Sequence, residues 1–428
     1  EVSRGRPETV RRGDFSAKEI GEDMYLNQVG TFGVTQRGYR WGRAGGAVMR
    51  LGHYVVGFKE ALWALLYPDD GKLTGRTERP ERGLLLFLLT LVLIDLPLSW
   101  HKVRGGFEFE WIGYFLDIGR FEIGVTFTRA VWAANWLSDK VAEGRVRLGE
   151  LREGLGRLQF LAGPVEHVRP FLGPLYAWAS AGPRFARPKL PVMVALIMRY
   201  LAKELREHHT MSCETRAEQL GEVFRLDASA KCSVIAIGGW RIRKGENPKD
   251  SEWFSLTLTK ATAPWAFSRG EPFRTIAALE LLGSLVSLMV LMPELDARGE
   301  SAAMVTMTCS TDNQGNSHLL DRLLTTKYPL GVVLMELAHQ MRRRRLVLRA
   351  NWVPRDQNQE ADDLTNLEFR HFDERRRIPV SLEDLDFGVM TELFECGDQY
   401  IAELDEQRQK AKEQAAKEAE KGGGRKRK

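Results

Sequence analysis

Apolar and polar positions change rhythm several times along the chain. From about Tyr39, the residues Trp41, Ala44, Val48 and Leu51 recur at the three-to-four spacing that predicts a helix. The string ALWALLYPDDG (61–71) reads as a short apolar strand whose acidic pair sits at a Gly-closed turn. Leu84–Ile94 is the strongest apolar run. Asp95 and Pro97 close it well short of the roughly 20 residues that a membrane span needs, so it predicts a buried helix and no membrane partner. Strands are predicted around Phe107–Leu116 and Phe121–Thr126, joined by Asp117–Arg120. Three short helices fill 128–182, with breaks near Gly144 and at Gly163-Pro164. A Pro-and-basic stretch, PRFARPKL (183–190), reads as a linker before a helix that runs to about Glu207.

The pattern then changes. Strands are predicted at Val223–Ile237, Trp240–Lys244 and Trp253–Thr262, followed by a helix over Phe273–Met292. A strand at Ala303–Ser310, helices at Ser317–Leu324 and Gly331–Arg344, a strand at Leu346–Val353 and a short helix complete the series. Three strands followed by alternating helix and strand predict a mixed sheet with helices on its faces. From Asp398 onward, alternating charges predict a solvated helix that frays into a basic tail, RKRK.

Composition adds bounds. Among the 428 residues, hydrophobic types make up 43% and charged types 28%, which argues against a mainly disordered, collagenous or membrane-spanning chain. Lys and Arg total 62 against 57 acids, and the net charge of +5 permits a nucleic-acid partner without requiring one. Cys213, Cys232, Cys309 and Cys396 form neither a CxxC pair nor a zinc spacing, so they are expected to be reduced thiols in an intracellular, cytoplasmic or nuclear, protein. His208, His209 and Cys213 lie close together, but adjacent histidines rarely serve one metal. The N-terminus has no initiator Met and no apolar signal core, and the chain is expected to be a fragment. Oligomeric state is not legible.

Four acids stand where acids are least expected. Asp227 interrupts the apolar strand FRLDAS. Glu280 falls on the core stripe of FRTIAALELLGSLVSLMV, formed by positions 273, 276, 277, 281, 284 and 288. Asp312 ends the strand MVTMTCSTD, and Asp362 opens the helix after NWVPRDQNQEA. Each has a plain structural reading: Asp312 and Asp362 as helix caps, Glu280 as the partner of an Arg. Together they are costly to bury unless cations neutralise them. Carboxylates converging from strand ends and an adjacent helix make a hard oxygen site suited to Mg²⁺ or Mn²⁺. Two such ions, about 3.5–4 Å apart, can activate a water and stabilise the leaving oxygen of a phosphodiester.

FRLDAS, AALEL, STDNQ and NWVPRDQNQEADDL, in that order, resemble the retroelement ribonuclease H family over about 222–366. The resemblance implies cleavage of the RNA strand of an RNA–DNA hybrid, with Asp227, Glu280, Asp312 and Asp362 as ligands of two Mg²⁺ or Mn²⁺ ions. Asp363 is the neighbour that competes with Asp362, and the A-D-x-L pattern favours Asp362. The loop VPRDQNQE lacks the His that many cellular members carry there. The run Arg342–Arg345 reads equally as a grip on the hybrid's phosphates or as cations at a helix C-terminus. Trp240, Trp253 and Trp265 could line a hybrid groove or pack the core.

The first half resembles the C-terminal palm and thumb of a retroelement reverse transcriptase, similar to tyrosine-recombinase-type and protist retrotransposon polyproteins. The resemblance rests on GTFGVTQRGYRWGRAGGAVMRL (30–51), Tyr67-Pro68-Asp69-Asp70, LPLSWHK (96–102) and FEWIGYFLDI (109–118), with the three helices of 128–182 as thumb. It implies Asp69 and Asp70 as metal ligands and Lys102 as a pyrophosphate contact. Two departures argue against polymerase activity: Pro68 in a tight hairpin, and no first palm Asp motif in the short stretch before the GTFGV segment.

The expected fold is α+β and α/β: a partial palm and a helical thumb, then a ribonuclease H-like mixed five-stranded sheet flanked by helices. The expected domains are a disordered segment 1–24, palm 25–127, thumb 128–185, connection 186–221, ribonuclease H-like domain 222–370 and a charged extension 371–428. A catalytically silent remnant that binds nucleic acid or only folds is the alternative, and a resolvase-like nuclease of the same fold is a third reading.

Overall fold

The computed structural model describes residues 17–20, 23–26, 35–67, 70–75, 80–213, 218–231, 233–296 and 304–423. They divide into two units, 1–112 and 113–428.

In the first unit, β1 (Ala17–Ile20) and β2 (Asp23–Leu26) form a hairpin. Helix α1 (Thr35–Val56) follows, then β3 (Leu62–Tyr67), antiparallel to β4 (Asp70–Gly75), with Tyr67 opposite Asp70. Helix α2 (Pro80–Leu93) and β5 (Glu108–Trp111) complete it. The core is small: Val56, Leu62, Phe87 and Leu91. The helix expected from Tyr39 is present, but Trp41 and Leu51 of its expected stripe are exposed. The buried stripe runs through Gly45 and Gly52, where an added Cβ would stand 2.5 Å from Leu66 Cδ2 and 2.3 Å from Phe87 Cε2. Glycine lets these side chains reach the helix backbone, a feature that apolar periodicity does not register. Leu84–Ile94 is only half buried: Phe87 and Leu91 face the core, while Leu85, Leu89 and Leu93 are exposed on this unit.

The second unit begins with β6 (Tyr114–Asp117) and β7 (Glu122–Val125). The single strand expected over 107–116 is broken because Ile112 and Gly113 both take positive φ, 46° and 89°. Helices α3 (Phe127–Glu143), α4 (Leu148–Leu161), α5 (Arg169–Ala179) and α6 (Val192–Glu207) follow, and β8 (Thr210–Ser212) pairs with β7. The Thr126 side chain accepts from the Arg129 N–H at the start of α3, and Gly144 at φ 64° ends it, the cap chemistry expected of each residue type.

The remaining strands are β9 (Glu218–Lys231), β10 (Val234–Arg241) and β11 (Trp253–Leu258). Then come α7 (Ile276–Leu291), β12 (Val305–Thr311), α8 (Gln314–Arg322), α9 (Leu330–Arg343), β13 (Leu346–Trp352), α10 (Gln359–Thr365), α11 (Met390–Glu395) and α12 (Gly397–Gly423). They build a mixed five-stranded sheet in the order β11-β10-β9-β12-β13. β9, β10 and β11 are antiparallel neighbours, while β12 runs parallel to both β9 and β13. This is the expected mixed five-stranded sheet with flanking helices. The strand expected over Val223–Ile237 is two strands, and Trp240 belongs to the second rather than to a strand of its own.

Helix α7 is buried on every side from Ala278 to Leu288. By length and composition Pro272–Leu291 could cross a membrane, but 72% of that window is buried inside the protein. The helix starts at Ile276, and Phe273, expected on its core stripe, is exposed. Gly283 brings α7 close to the sheet, since a Cβ there would stand 2.9 Å from Leu226 Cδ1 and 3.2 Å from Ile237 Cγ2. Trp240, Trp253 and Trp265 are all buried and pack the core.

Candidate metal centre

The carboxylates meet where the sheet is most constrained. Asp227 lies in the middle of β9 opposite Gly238 of β10, and β9 is flanked by β10 and β12. Asp312 follows the last residue of β12, so its position is set by the strand end. Glu280 lies in the second turn of α7, which is held against β9 by Gly283. One ligand oxygen from each of Asp227, Glu280 and Asp312 lies within 4.8 Å of the others. Asp227 is 4% exposed and Glu280 5% exposed.

Hydroxyls orient this group. Thr311 Oγ1 donates to Glu280 Oε2 at 3.1 Å, and Thr365 Oγ1 lies 3.0 Å from Asp227 Oδ2. No cation is paired with the trio among the described residues. Burial, then the charges of Asp312 and Asp362, push Asp227 up to about 6 against the Thr365 hydrogen bond. Burial, then the charges of Asp227 and Asp312, push Glu280 well above the ordinary carboxylate range. Three mutually repelling carboxylates, two of them buried, form a hard-oxygen donor set that fits a divalent cation. It is the only such trio of metal-capable side chains among the described residues.

Asp362 stands beside the trio, near enough to raise Asp227. Its oxygens are taken: Arg355 Nη2 donates to Oδ1 at 2.6 Å and Asn366 Nδ2 to Oδ2 at 2.9 Å. Asp363 is buried and points to other partners, with Gln359 Nε2 at 2.8 Å and Arg370 Nη2 at 3.3 Å. Adjacent glycines explain how two helices crowd one strand. A Cβ on Gly238 would stand 2.5 Å from Leu364 Cβ of α10, and one on Gly239 would stand 2.6 Å from Ser287 Oγ of α7.

The four-arginine run is placed elsewhere. Leu346 sits beside Val305 at the start of the parallel pair, so the end of α9 lies about 20 Å along the sheet from Asp312. Arg342 Nε is 2.9 Å from Glu204 Oε2, and Arg343 Nη1 is 2.6 Å from Asp386 Oδ2. Buried Arg344 pairs with Asp296 at 3.3 Å, and Arg345 Nη2 donates to Ser212 Oγ at 2.7 Å. These ion pairs and the distance set the run apart from the carboxylates, and Arg342 and Arg343 fill the last turn of α9, as the helix-end reading expects.

In the first unit, Asp69 lies outside the described residues. Asp70 opens β4 and is exposed, in no trio with other carboxylates among the described residues. Lys102 is exposed in a 3₁₀ turn, Trp100–Lys102. Cys232 and RKRK also lie outside the described residues.

Sequence reasoning missed Thr311, Thr365, Asn366 and Arg355. Thr365 lies one helical turn beyond Asp362, and Thr311 immediately precedes Asp312. Those neighbourhoods were the available signal.

No protein-family model and no curated protein sequence matches the chain. Solved structures do. The foamy viral protease-reverse transcriptase dRH in complex with double-stranded DNA is 11% identical, with 73% of this chain and 49% of that one covered, at TM-score 0.32. This chain thus spans about half its length. RNase H1 from Halobacterium salinarum is 13% identical, with 36% and 98% covered, at TM-score 0.22. A second foamy viral protease-reverse transcriptase complex with double-stranded DNA is 11% identical, with 79% and 65% covered, at TM-score 0.18. With all three scores below 0.5, the functional reading rests on the sheet order and the carboxylates.

Proposed function

We propose that the second unit is a divalent-metal nuclease that hydrolyses the RNA strand of RNA–DNA hybrids by a two-ion mechanism. The observation that carries this reading is the convergence of Asp227, Glu280 and Asp312 within 4.8 Å, two of them buried, with no cation paired to them among the described residues. Asp227, Glu280, Asp312 and Asp362 would hold two Mg²⁺ or Mn²⁺ ions. Bound there, such ions supply an activated water and a stabilised leaving oxygen. The protein's part is positional. Thr311 and Thr365 fix two carboxylates, Trp352 Nε1 donates to the Asp312 carbonyl at 3.0 Å, and Asn358 Nδ2 donates to the Leu226 carbonyl at 2.9 Å. Recognition would depend on the hybrid's shape and its 2′-hydroxyls rather than on base sequence.

The first unit and the helices after it are proposed as a partial palm and thumb of a retroelement polyprotein, acting within the cell. Polymerase activity is not proposed, because exposed Asp70 stands without a carboxylate trio among the described residues.

The test is cleavage of a labelled RNA–DNA hybrid with Mg²⁺ or Mn²⁺, beside duplex DNA, duplex RNA and branched DNA. Wild type should cut the hybrid's RNA strand. Asp312→Asn should lose about two orders of magnitude in rate, about 2.7 kcal/mol of transition-state stabilisation. A folded wild type that leaves the hybrid intact would make the acids relics, and one that cuts only branched DNA would make the domain a resolvase-like nuclease.

A further inference from the structure

Asp362 differs from its three companions in one respect: a guanidinium already occupies it. Arg355 Nη2 lies 2.6 Å from Oδ1. The loop that carries Arg355 is pinned at its far end. Asn358 Nδ2 donates to the Leu226 carbonyl at 2.9 Å, and Arg225 Nη1 donates to the Gln357 carbonyl at 2.8 Å. Both anchors lie on β9, the strand that carries Asp227. The Arg355 side chain is nevertheless 74% exposed. Its backbone is therefore fixed beside the carboxylates while its head is free to turn toward solvent. Its charge also reaches Asp227 and Glu280, favouring their ionised forms.

A guanidinium at this distance places a positive charge where a metal ion on that carboxylate would lie, so the two cations compete for Asp362. We infer that Arg355 is a displaceable cation of the site: it holds Asp362 until a divalent ion takes that carboxylate, and the freed guanidinium then binds a phosphate of the nucleic-acid strand. The inference rests on the divalent-ion reading above and deepens it by coupling metal binding to phosphodiester binding. An exposed arginine suits both tasks, since its planar fork matches carboxylate and phosphate oxygens alike. No covalent step is involved.

The experiment is a calorimetric Mn²⁺ titration of wild type, Arg355→Ala and Arg355→Lys, each alone and with a hybrid whose RNA strand carries 2′-O-methyl riboses. Without nucleic acid, Arg355→Ala should bind Mn²⁺ about two- to fivefold more tightly, the scale of one exposed ion pair. Arg355→Lys, which keeps the charge, should stay near wild type. The hybrid should tighten Mn²⁺ binding by wild type and do so less for Arg355→Ala. Unchanged or weaker Mn²⁺ binding by Arg355→Ala alone would overturn the inference. So would equal tightening of both proteins by the hybrid, or no Mn²⁺ binding by either. The titration without nucleic acid separates this inference from the nuclease reading: a tighter Arg355→Ala in a protein that cuts no hybrid would leave the metal competition standing and remove the substrate.

Discussion

The second unit buries two sets of ionisable side chains, and they are built on opposite plans. At one end of the sheet, Asp227, Glu280 and Asp312 face one another with only hydroxyl donors between them. Between α9 and the helices before the sheet, His167 Nε2 lies 3.2 Å from Glu204 Oε2, and Arg342 Nε lies 2.9 Å from the same oxygen. Burial alone would raise Glu204, but the His167 hydrogen bond and the Arg342 charge outweigh it and hold Glu204 below its ordinary value. Nearby, Glu336 accepts from the backbone N–H groups of Gly388, Val389 and Met390 at 2.8–2.9 Å. The second set is neutralised from within and reads as architecture. The first has no ion-paired cation among the described residues, and a fold tolerates such a deficit where a ligand supplies the missing charge.

Removing the acid from each set should therefore give opposite results in the absence of metal. Glu204→Gln leaves Arg342 facing a neutral amide in a mostly buried site. It should cost about 3 kcal/mol or more in urea unfolding, the loss expected when one partner of a buried pair is removed. Glu280→Gln relieves repulsion and should leave stability unchanged or raise it. If both variants lost stability equally, the contrast would collapse.

Divalent ion is the complementary probe. Mg²⁺ or Mn²⁺ at about a hundred times its dissociation constant should stabilise wild type by about 2.7 kcal/mol. Glu280→Gln should lose most of that gain, and Glu204→Gln should keep it. Thermal melts with and without ion read the difference. A gain that survives in Glu280→Gln would place the ion elsewhere.

What could be read from the chain follows the same division. Asp227 and Glu280 stand out because each interrupts an apolar string, and Asp312 because it ends one in order with them. Glu204 sits in YLAKELRE, a string typical of a solvated helix face, and nothing local shows that α6 turns that side inward against α9. Of the two readings of the Arg342–Arg345 run, the helix-end one is local and matches Arg342 and Arg343 in the last turn of α9, while the run's partners, Glu204, Asp296, Asp386 and Ser212, come from four distant segments that nothing local shows. The sheet was legible from its alternation of elements, apart from the turn that divides β9 from β10. The close contacts at Gly45, Gly52, Gly238 and Gly283 were not, since a glycine carries no hydropathy signal for what approaches it.

Gly238 sharpens the comparison at the sheet end. A methyl there would meet Leu364 Cβ at 2.5 Å, so α10 must move away from β10 and carry Asp362 with it. Gly238→Ala should cost about 1–3 kcal/mol of stability, as overpacking does, and should also weaken Mn²⁺ binding. Gly156, where an added Cβ meets nothing within 4 Å, is the control: Gly156→Ala should leave ion binding unchanged. Equal ion binding by the two variants would show that the approach of α10 does not position Asp362.

The smallest effect concerns acid. Burial pushes His167 below its ordinary value, against the Glu204 hydrogen bond, while Arg342 and His208 add to the lowering. His209 and His339 are also lowered, each first by burial. A depressed histidine stays neutral in the folded chain while the unfolded chain takes up a proton. Its contribution is therefore complete above about pH 6.5 and falls away as pH drops through that value toward the lower folded one. At about pH 5.5, one unit below the reference value, each such histidine should cost no more than about 1.4 kcal/mol. In metal-free protein the protonation of raised Asp227 and Glu280 adds stability over the same range, so the histidine effect is read as a difference: between pH 7.5 and 5.5 the urea midpoint of His167→Gln should lose less, or gain more, than that of wild type. A variant slope equal to that of wild type would mean that His167 is protonated within the fold, with Glu204 as its ion partner. The internally balanced set would then carry a proton of its own, and its contrast with the carboxylate trio would narrow to the source of the neutralising cation.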